Sequence, residues 1–307
     1  MIDQLAVKEC SFGQLPVRNL AGRKMLVDLL AANNVICINA DQISLTTSFR
    51  QALMFRELLE AKMAFAEEVA KDISSYFPLL IDDLSRFMES SVTFQLFRYD
   101  RCFEVTPSNM ELAQRWMRYT TALTRHEGRV LAEHLDLRSC RHLLDIGGNS
   151  GELAVQLCRV FPQLWVTAFD LPVVCQIGRD NVEGREGHDR IIFRPGDMRH
   201  DELPTDMDAV TLKSLLHDWP DENAQALLAK AQQTLRPGGL LTIFERAPLN
   251  PSRGLPYAQL ANLVFFQFFR PADLYLQTLG ALRFTDIRCE TIRLEMDFHL
   301  ITARRSL

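Results

Sequence analysis

The sequence predicts an α/β protein, with a mostly parallel sheet that ends in an antiparallel strand and follows a mainly helical N-terminal domain. Three observations carry that expectation. From Cys140 onward, short apolar runs alternate with helical patterns, as strands joined by crossover helices do. The run Leu143 to Ile146 is followed by Gly147, Gly148 and Gly151, and then by a helical pattern opening at Glu152. Two late strand patterns, Phe284 to Ile292 and Phe298 to Ala303, have only a turn near Met296 and Asp297 between them. Without a crossover helix they must pair antiparallel.

Taken in order, Leu20 to Ala32 carries Met25, Leu26, Leu29 and Leu30 on one helical face and stops at Asn33-Asn34. Val35 to Asn39 and Gln42 to Thr46 read as a small hairpin around Ala40-Asp41. A helix followed by a hairpin is the back half of a winged-helix module, whose front half has only the first 19 residues to fit into. Phe49 to Asp72 is helical, Phe77-Pro78 is expected to interrupt, and a second helix spans Leu79 to Met88. Thr106-Pro107 opens a long helix running from about Met110 to Leu135. Further helices are expected at Val173–Asn181, Asp221–Leu235 and Pro271–Leu279, and strands at Leu164–Asp170, Ile191–Arg194, Asp208–Ser214 and Leu240–Glu245. Pro237-Gly238-Gly239 is expected to separate the second of these helices from its strand. The implied domains are residues 1–104 (helical, with the hairpin), 105–137 (a linking helix) and 138–307 (the sheet).

Composition narrows the function. With 307 residues and 47% hydrophobic content, the chain can bury substantial cores. A net charge of −5 and scattered Lys and Arg give no footprint for nucleic acid. No apolar run reaches membrane-spanning length, and Met1-Ile-Asp-Gln-Leu5 lacks a signal-peptide pattern. Seven dispersed cysteines without a C-x-x-C suggest a reduced, cytoplasmic protein and no metal site. At the glycine turn, unpaired helix N–H groups and close backbone approach suit a nucleoside ligand. The carboxylate that holds a ribose is expected about 20 residues on, where Asp170 ends the next strand. Asn149 stands where a dinucleotide motif would carry its second close-approach glycine.

Four signposts then occur in order: Leu144-Asp-Ile-Gly-Gly148, Phe169-Asp-Leu-Pro172, Gly196-Asp-Met198 and Leu212-Lys-Ser-Leu-Leu-His-Asp-Trp219. With Arg236-Pro-Gly-Gly239 after them, the chain from about residue 105 resembles the S-adenosylmethionine-dependent small-molecule O-methyltransferases of the plant caffeate and bacterial antibiotic-tailoring type. The resemblance implies a class I methyltransferase Rossmann-like sheet, a winged-helix-like dimerisation domain in front of it, and S-adenosyl-L-methionine (SAM) as cofactor. S-adenosyl-L-homocysteine (SAH) would be the product, with no metal. It also implies a homodimer formed through the N-terminal half and a small aromatic acceptor.

Carried over residue by residue, the resemblance assigns Gly147, Gly148 and Gly151 to the methionine part of the cofactor and Asp170, with Leu171 beside it, to the ribose. Asp197, Met198, Lys213 and Trp219 go to the adenine. His217 is the general base: a phenol of pKa near 10 needs its proton removed, and an imidazole near 6.5 suits the task. Glu245 matches the family's orienting glutamate, whereas Asp218 reads as a helix cap. The acceptor pocket is expected to be lined by Trp116, Met117, Thr120 and Thr121 and, in the segment from Tyr257 to Phe269, by Asn262, Phe265, Phe266 and Phe269. Phe269 occupies the place of the family's second glutamate, so only one carboxylate is expected beside the base. The alternatives are methyl transfer to nitrogen or carbon on the same scaffold, and a non-catalytic SAM-binding scaffold protein.

Overall fold

A computed structural model describes residues 1–255 and 257–307, without the side chains of 253, 257 and 258. The start of the segment expected to line the pocket from Tyr257 therefore lies outside the described side chains. The chain divides into two compact units, residues 1–60 and 61–307.

The first unit contains α1 (Ile2–Val7), β1 (Cys10–Ser11), α2 (Leu20–Ala32), β2 (Ile36–Asn39), β3 (Gln42–Leu45) and α3 (Thr47–Ala52). Asn19 caps α2 by accepting from the Gly22 N–H at 2.7 Å. Ala40 takes φ +54° to turn the hairpin. β1 is only two residues long and pairs antiparallel with β3. Leu5, Leu15, Val27, Ile36 and Ile43 close the core.

The helix α4 (Arg56–Asp82) runs straight through Pro78, where the sequence had suggested an interruption. Pro78 lies in the final turns, so only one backbone hydrogen bond is lost. Phe65, Val69 and Leu80 hold one buried face across it. After α5 (Leu84–Ser90), α6 (Val92–Leu96) is tied down by the buried Asp72. Its carboxylate accepts from the Ser91 hydroxyl and from the N–H groups of Val92 and Thr93. The long helix α7 (Pro107–His134) starts at a Thr106 cap, with Pro107 in its first turn.

The remaining elements alternate as expected: β4 (His142–Ile146), α8 (Glu152–Val160), β5 (Trp165–Asp170), α9 (Pro172–Val182), β6 (Ile191–Pro195), β7 (Met207–Lys213), α10 (Asp221–Thr234), β8 (Leu235–Arg246), α11 (Asp273–Ala281), β9 (Thr285–Arg293) and β10 (Asp297–Arg304). They form a seven-stranded sheet in the order β6-β5-β4-β7-β8-β10-β9. Strands β6 to β8 are parallel, and β10 inserts antiparallel between β8 and β9. One expectation fails here. Pro237-Gly238-Gly239 does not precede β8 but lies inside it, where Gly238 takes φ +77° and the register against β7 slips between Met207 and Ala209. A glycine at positive φ gives the chain a bulge instead of an end.

Chain order reverses between β4 and β7. The crevice beyond the C-terminal ends of these two strands, at Ile146 and Lys213, is where ligands bind in open α/β sheets.

Candidate active site

A cavity of about 560 Å³ opens at that edge of the sheet. Its first wall is the β4–α8 turn. Gly147 has φ +71°, and a Cβ there would come within 2.8 Å of the Leu215 side chain. Glycine is therefore required on both counts. Added Cβ atoms at Gly148 and Gly151 would strike Ala168 at 2.7 Å and Phe193 at 2.6 Å, and Gly151 also has φ +71°. Neither lies on the cavity wall. Asn149 adopts φ +50°, a left-handed conformation that Asn tolerates where few side chains do. Its N–H donates to the Asp170 carboxylate at 2.8 Å, and the Leu171 N–H does the same to the other oxygen. Burial pushes Asp170 up to about 6, against those two hydrogen bonds. Both oxygens retain acceptor capacity, and Asp170 and Leu171 face the cavity.

Farther along the sheet, Asp197 and Met198 follow β6 on the same cavity. Hydrogen bonds from Arg199 hold the Asp197 carboxyl below its ordinary value. The Arg199 guanidinium lies 4.8 Å from the ring centre of Trp219, whose buried indole N–H has no hydrogen-bond partner among the described residues. Lys213 lines the same cavity from another strand. At the end of β7, three strands from β6, its ammonium donates to Thr124 and Glu127 of α7.

His217 follows β7 in a short helical turn and lines the cavity. Its Nδ1 is 2.6 Å from Glu245 Oε2. The other oxygen of Glu245 accepts from the N–H groups of Leu215 and Leu216, each at 2.7 Å. Glu245 is 1% exposed, so these contacts replace its hydration. Burial opposes ionisation of both groups, yet their mutual attraction lowers Glu245 and raises His217. Asp218 is not a helix cap; α10 is preceded by Pro220. One Asp218 oxygen lies 3.4 Å from His217 Nε2, and the other accepts from the Tyr99 hydroxyl at 2.9 Å. Burial raises Asp218, with His217 acting against it. The base thus has a second carboxylate, from the adjacent residue. Phe269 does stand beside it, presenting an edge at 5.6 Å between ring centres.

The far side of the cavity is aromatic. Trp116, Thr120, Asn262, Phe265 and Phe269 line it, as do Phe94, Phe97, Tyr119 and Phe268. Met117, Thr121 and Phe266 lie away from this wall. Met117 packs against Leu171 and Val173, Thr121 bonds the Ser150 hydroxyl, and Phe266 packs with the α4–α5 core. Sequence reasoning missed Tyr99, Glu127 and Arg246. Tyr99 and Glu127 lie more than 80 residues from their partners, and nothing local marks them.

Comparison with known proteins fits this geometry. Residues 86–267, more than half of the chain, match the model of the O-methyltransferase domain. The chain belongs to that family. Among curated relatives, the 3-hydroxy-5-methyl-1-naphthoate 3-O-methyltransferase of Streptomyces sahachiroi is 36% identical over 117 residues, 38% of this chain and 34% of that protein. The acetylserotonin O-methyltransferase of Gallus gallus is 32% identical over 165 residues, 52% of this chain and 47% of that one. The matched stretches thus span less than half of these relatives. Among solved structures, human N-acetylserotonin methyltransferase in complex with SAM has a TM-score of 0.75 at 18% identity, covering 100% of this chain and 91% of that one. The mitomycin 7-O-methyltransferase structure has a TM-score of 0.65 at 18% identity, covering 99% and 91%. Both show the family fold extending beyond the matched domain. Among the described residues, no helix is long and apolar enough to cross a membrane, and no group of three metal-ligating side chains is assembled.

Proposed function

We propose that the chain is a SAM-dependent O-methyltransferase that methylates a hydroxyl of a small aromatic molecule, with His217 as the general base. The observation that carries the reading is one cavity with two ends. A hydrogen-bonded His217–Glu245 pair opens onto the same space as the Gly147 turn and the Asp170 carboxylate. The residues fit the cofactor: Asp170 offers open acceptor positions to a ribose diol, and the missing Gly147 side chain leaves the backbone accessible. Leu171, Met198 and Trp219 supply apolar surface for an adenine. Bound there, SAM supplies an electrophilic methyl group on a sulfonium.

The chain's own residues handle the acceptor proton. Glu245 accepts from Nδ1–H and so fixes the tautomer whose Nε2 carries the lone pair. When Nε2 takes the proton of the hydroxyl, Asp218 at 3.4 Å stabilises the imidazolium. Tyr99 keeps that carboxylate in place. The aromatic wall selects a planar acceptor and excludes water. The naphthoate and acetylserotonin relatives, whose names specify aromatic O-methylation, support this acceptor class. A homodimer formed through the first unit is part of the same reading, since Leu20, Met25 and Leu29 of α2 leave large apolar surfaces exposed. Light scattering of the purified protein tests it.

Calorimetry with SAM and SAH tests the cofactor assignment. Wild type should bind both, and Asp170→Ala should weaken both by at least about tenfold through loss of the ribose contacts. A folded wild type that binds neither ends the proposal.

A further inference from the structure

The turn that carries His217 is too short to hold itself. Leu216–Asp218 is a single helical turn whose backbone bonds are long. The Asp218 N–H reaches the Leu215 carbonyl at 3.2 Å, and the Trp219 N–H the Leu216 carbonyl at 3.3 Å. Its entry is strained as well: Ser214 has φ +49°, a conformation that persists only where surrounding contacts over-determine it. Glu245 secures the inner side by accepting from the Leu215 and Leu216 N–H groups. Arg270 takes the carbonyls on the outer side. Its Nη1 donates to the Leu216 carbonyl at 2.8 Å and its Nη2 to the Trp219 carbonyl, while its Nε pairs with Asp221 Oδ1 at 2.7 Å in the first turn of α10. All three guanidinium nitrogens are thus engaged, and the two carbonyls bracket His217 and Asp218. The Arg270 side chain is 15% exposed and does not line the cavity. Bonds from a charged donor in such a setting are stronger than neutral ones. The segment behind it is anchored too. Gln267 donates to the Leu80 carbonyl of α4 at 2.9 Å, and Phe269 sets its ring edge against His217.

We propose that Arg270 is a positioning residue for the base: it clamps the His217 turn from the side opposite Glu245 and so fixes the imidazole between Glu245 and Asp218. The inference deepens the methyltransferase reading, on which it rests for the role of His217. Two clamps of opposite charge divide the polar backbone groups of the turn, the carboxylate taking N–H and the guanidinium taking C=O. The imidazole then keeps Nδ1 at 2.6 Å from Glu245 while Nε2 stays 3.4 Å from Asp218. Without the outer clamp only the inner side is held, and the ring tilts away from both carboxylates. A lysine cannot replace this arginine, because one nitrogen cannot take the places of three.

The experiment is an NMR titration of the ligand-free protein carrying isotope-labelled histidine, with the His217 signals assigned by their loss in His217→Ala. The groups facing the ring are Glu245 and Arg246 of β8, Asp218 of its own turn and the uncharged Phe269. Wild type should show the Nδ1–H tautomer, and a wild type in the other form overturns the proposal at once. In Arg270→Lys, which keeps the charge, the Nε2–H form should appear. The His217 midpoint should also fall there by about half a pH unit or more, because the contacts with Glu245 and Asp218 are what raise it. Arg270→Met should show the same mixing of tautomers. Unchanged tautomers in either folded variant overturn the proposal. So does a midpoint that rises in Arg270→Met and stays put in Arg270→Lys, the mark of charge acting at a distance. In wild type, separate and slowly exchanging Arg270 Nη signals are expected, and freely averaged ones overturn the clamp even if no variant folds. Calorimetry with SAH decides the methyltransferase reading separately: a wild type that does not bind SAH removes that reading and leaves the titration result standing.

Discussion

Replacing Glu245 with Gln gives the sharpest test of how His217 is prepared. The carboxylate accepts three hydrogen bonds, from two backbone N–H groups at 2.7 Å and from His217 Nδ1 at 2.6 Å. A glutamine can keep the backbone pair on its oxygen, but its amide then points an N–H at Nδ1. The imidazole answers by moving its proton to Nε2, which leaves no lone pair toward the acceptor. The cost should approach the full contribution of a general base, about 10²- to 10⁴-fold in kcat, while SAH affinity is unchanged. Losing the carboxylate also removes the largest influence raising the His217 pKa. In wild type, kcat/KM should therefore rise with pH along a limb centred above 6.5, because the raised pKa keeps the imidazole protonated longer. In the variant, residual activity should rise along a limb shifted to lower pH. Methyl transfer from labelled SAM to a phenolic acceptor, followed from pH 5.5 to 9, reads both effects. Activity within about threefold of wild type on an unshifted profile would refute the tautomer argument.

Three further outcomes follow from the same geometry. Tyr99→Phe removes the hydroxyl that holds Asp218, so kcat should fall by about tenfold, roughly the 1–2 kcal/mol of one charge-assisted hydrogen bond, with the pH limb moving down and SAH affinity unchanged. Gly147→Ala puts a Cβ 2.8 Å from Leu215 at φ +71°; calorimetry should record weaker SAM binding, and thermal melting a loss of about 1–2 kcal/mol. Asp145 is buried, accepts from the Thr211 hydroxyl at 2.7 Å, and is pushed up to about 7 by its burial. A carboxyl raised this way favours the native state when protonated, so its penalty grows as pH rises from about 4 to 7. Asp145→Asn should accordingly stabilise the protein at pH 8 by an amount on the order of 2 kcal/mol and much less at pH 4.5; equal effects at both pH values would contradict this.

The sheet was legible because each parallel strand is a continuous apolar run and each crossover helix an amphipathic one. The glycine turn, Asp170 and the His217–Glu245 pair could be placed because they lie at strand ends, which sequence pattern locates well. Helix faces were harder to read. On α7, Trp116, Thr120, Thr124 and Glu127 recur every three or four residues and share the cavity side. Met117 and Thr121 are each one position farther round and face the core, which mere closeness along the chain obscures. Pro78 and the Pro-Gly-Gly of β8 were misread because local breakers are overruled when flanking residues keep one buried face or one ladder. Asp218 looked like a cap because its partner, Tyr99, lies 119 residues away. Arg246 and Glu127 are joined over the same separation, and only the folded chain brings them together.

The central claim is that one cavity holds the cofactor and the base as separable functions. The most direct measurement compares SAH affinity with methyl transfer in wild type and His217→Ala. The account predicts SAH affinity within about twofold of wild type and turnover lower by two or more orders of magnitude. Retained turnover, or loss of SAH binding by a folded variant, would contradict it.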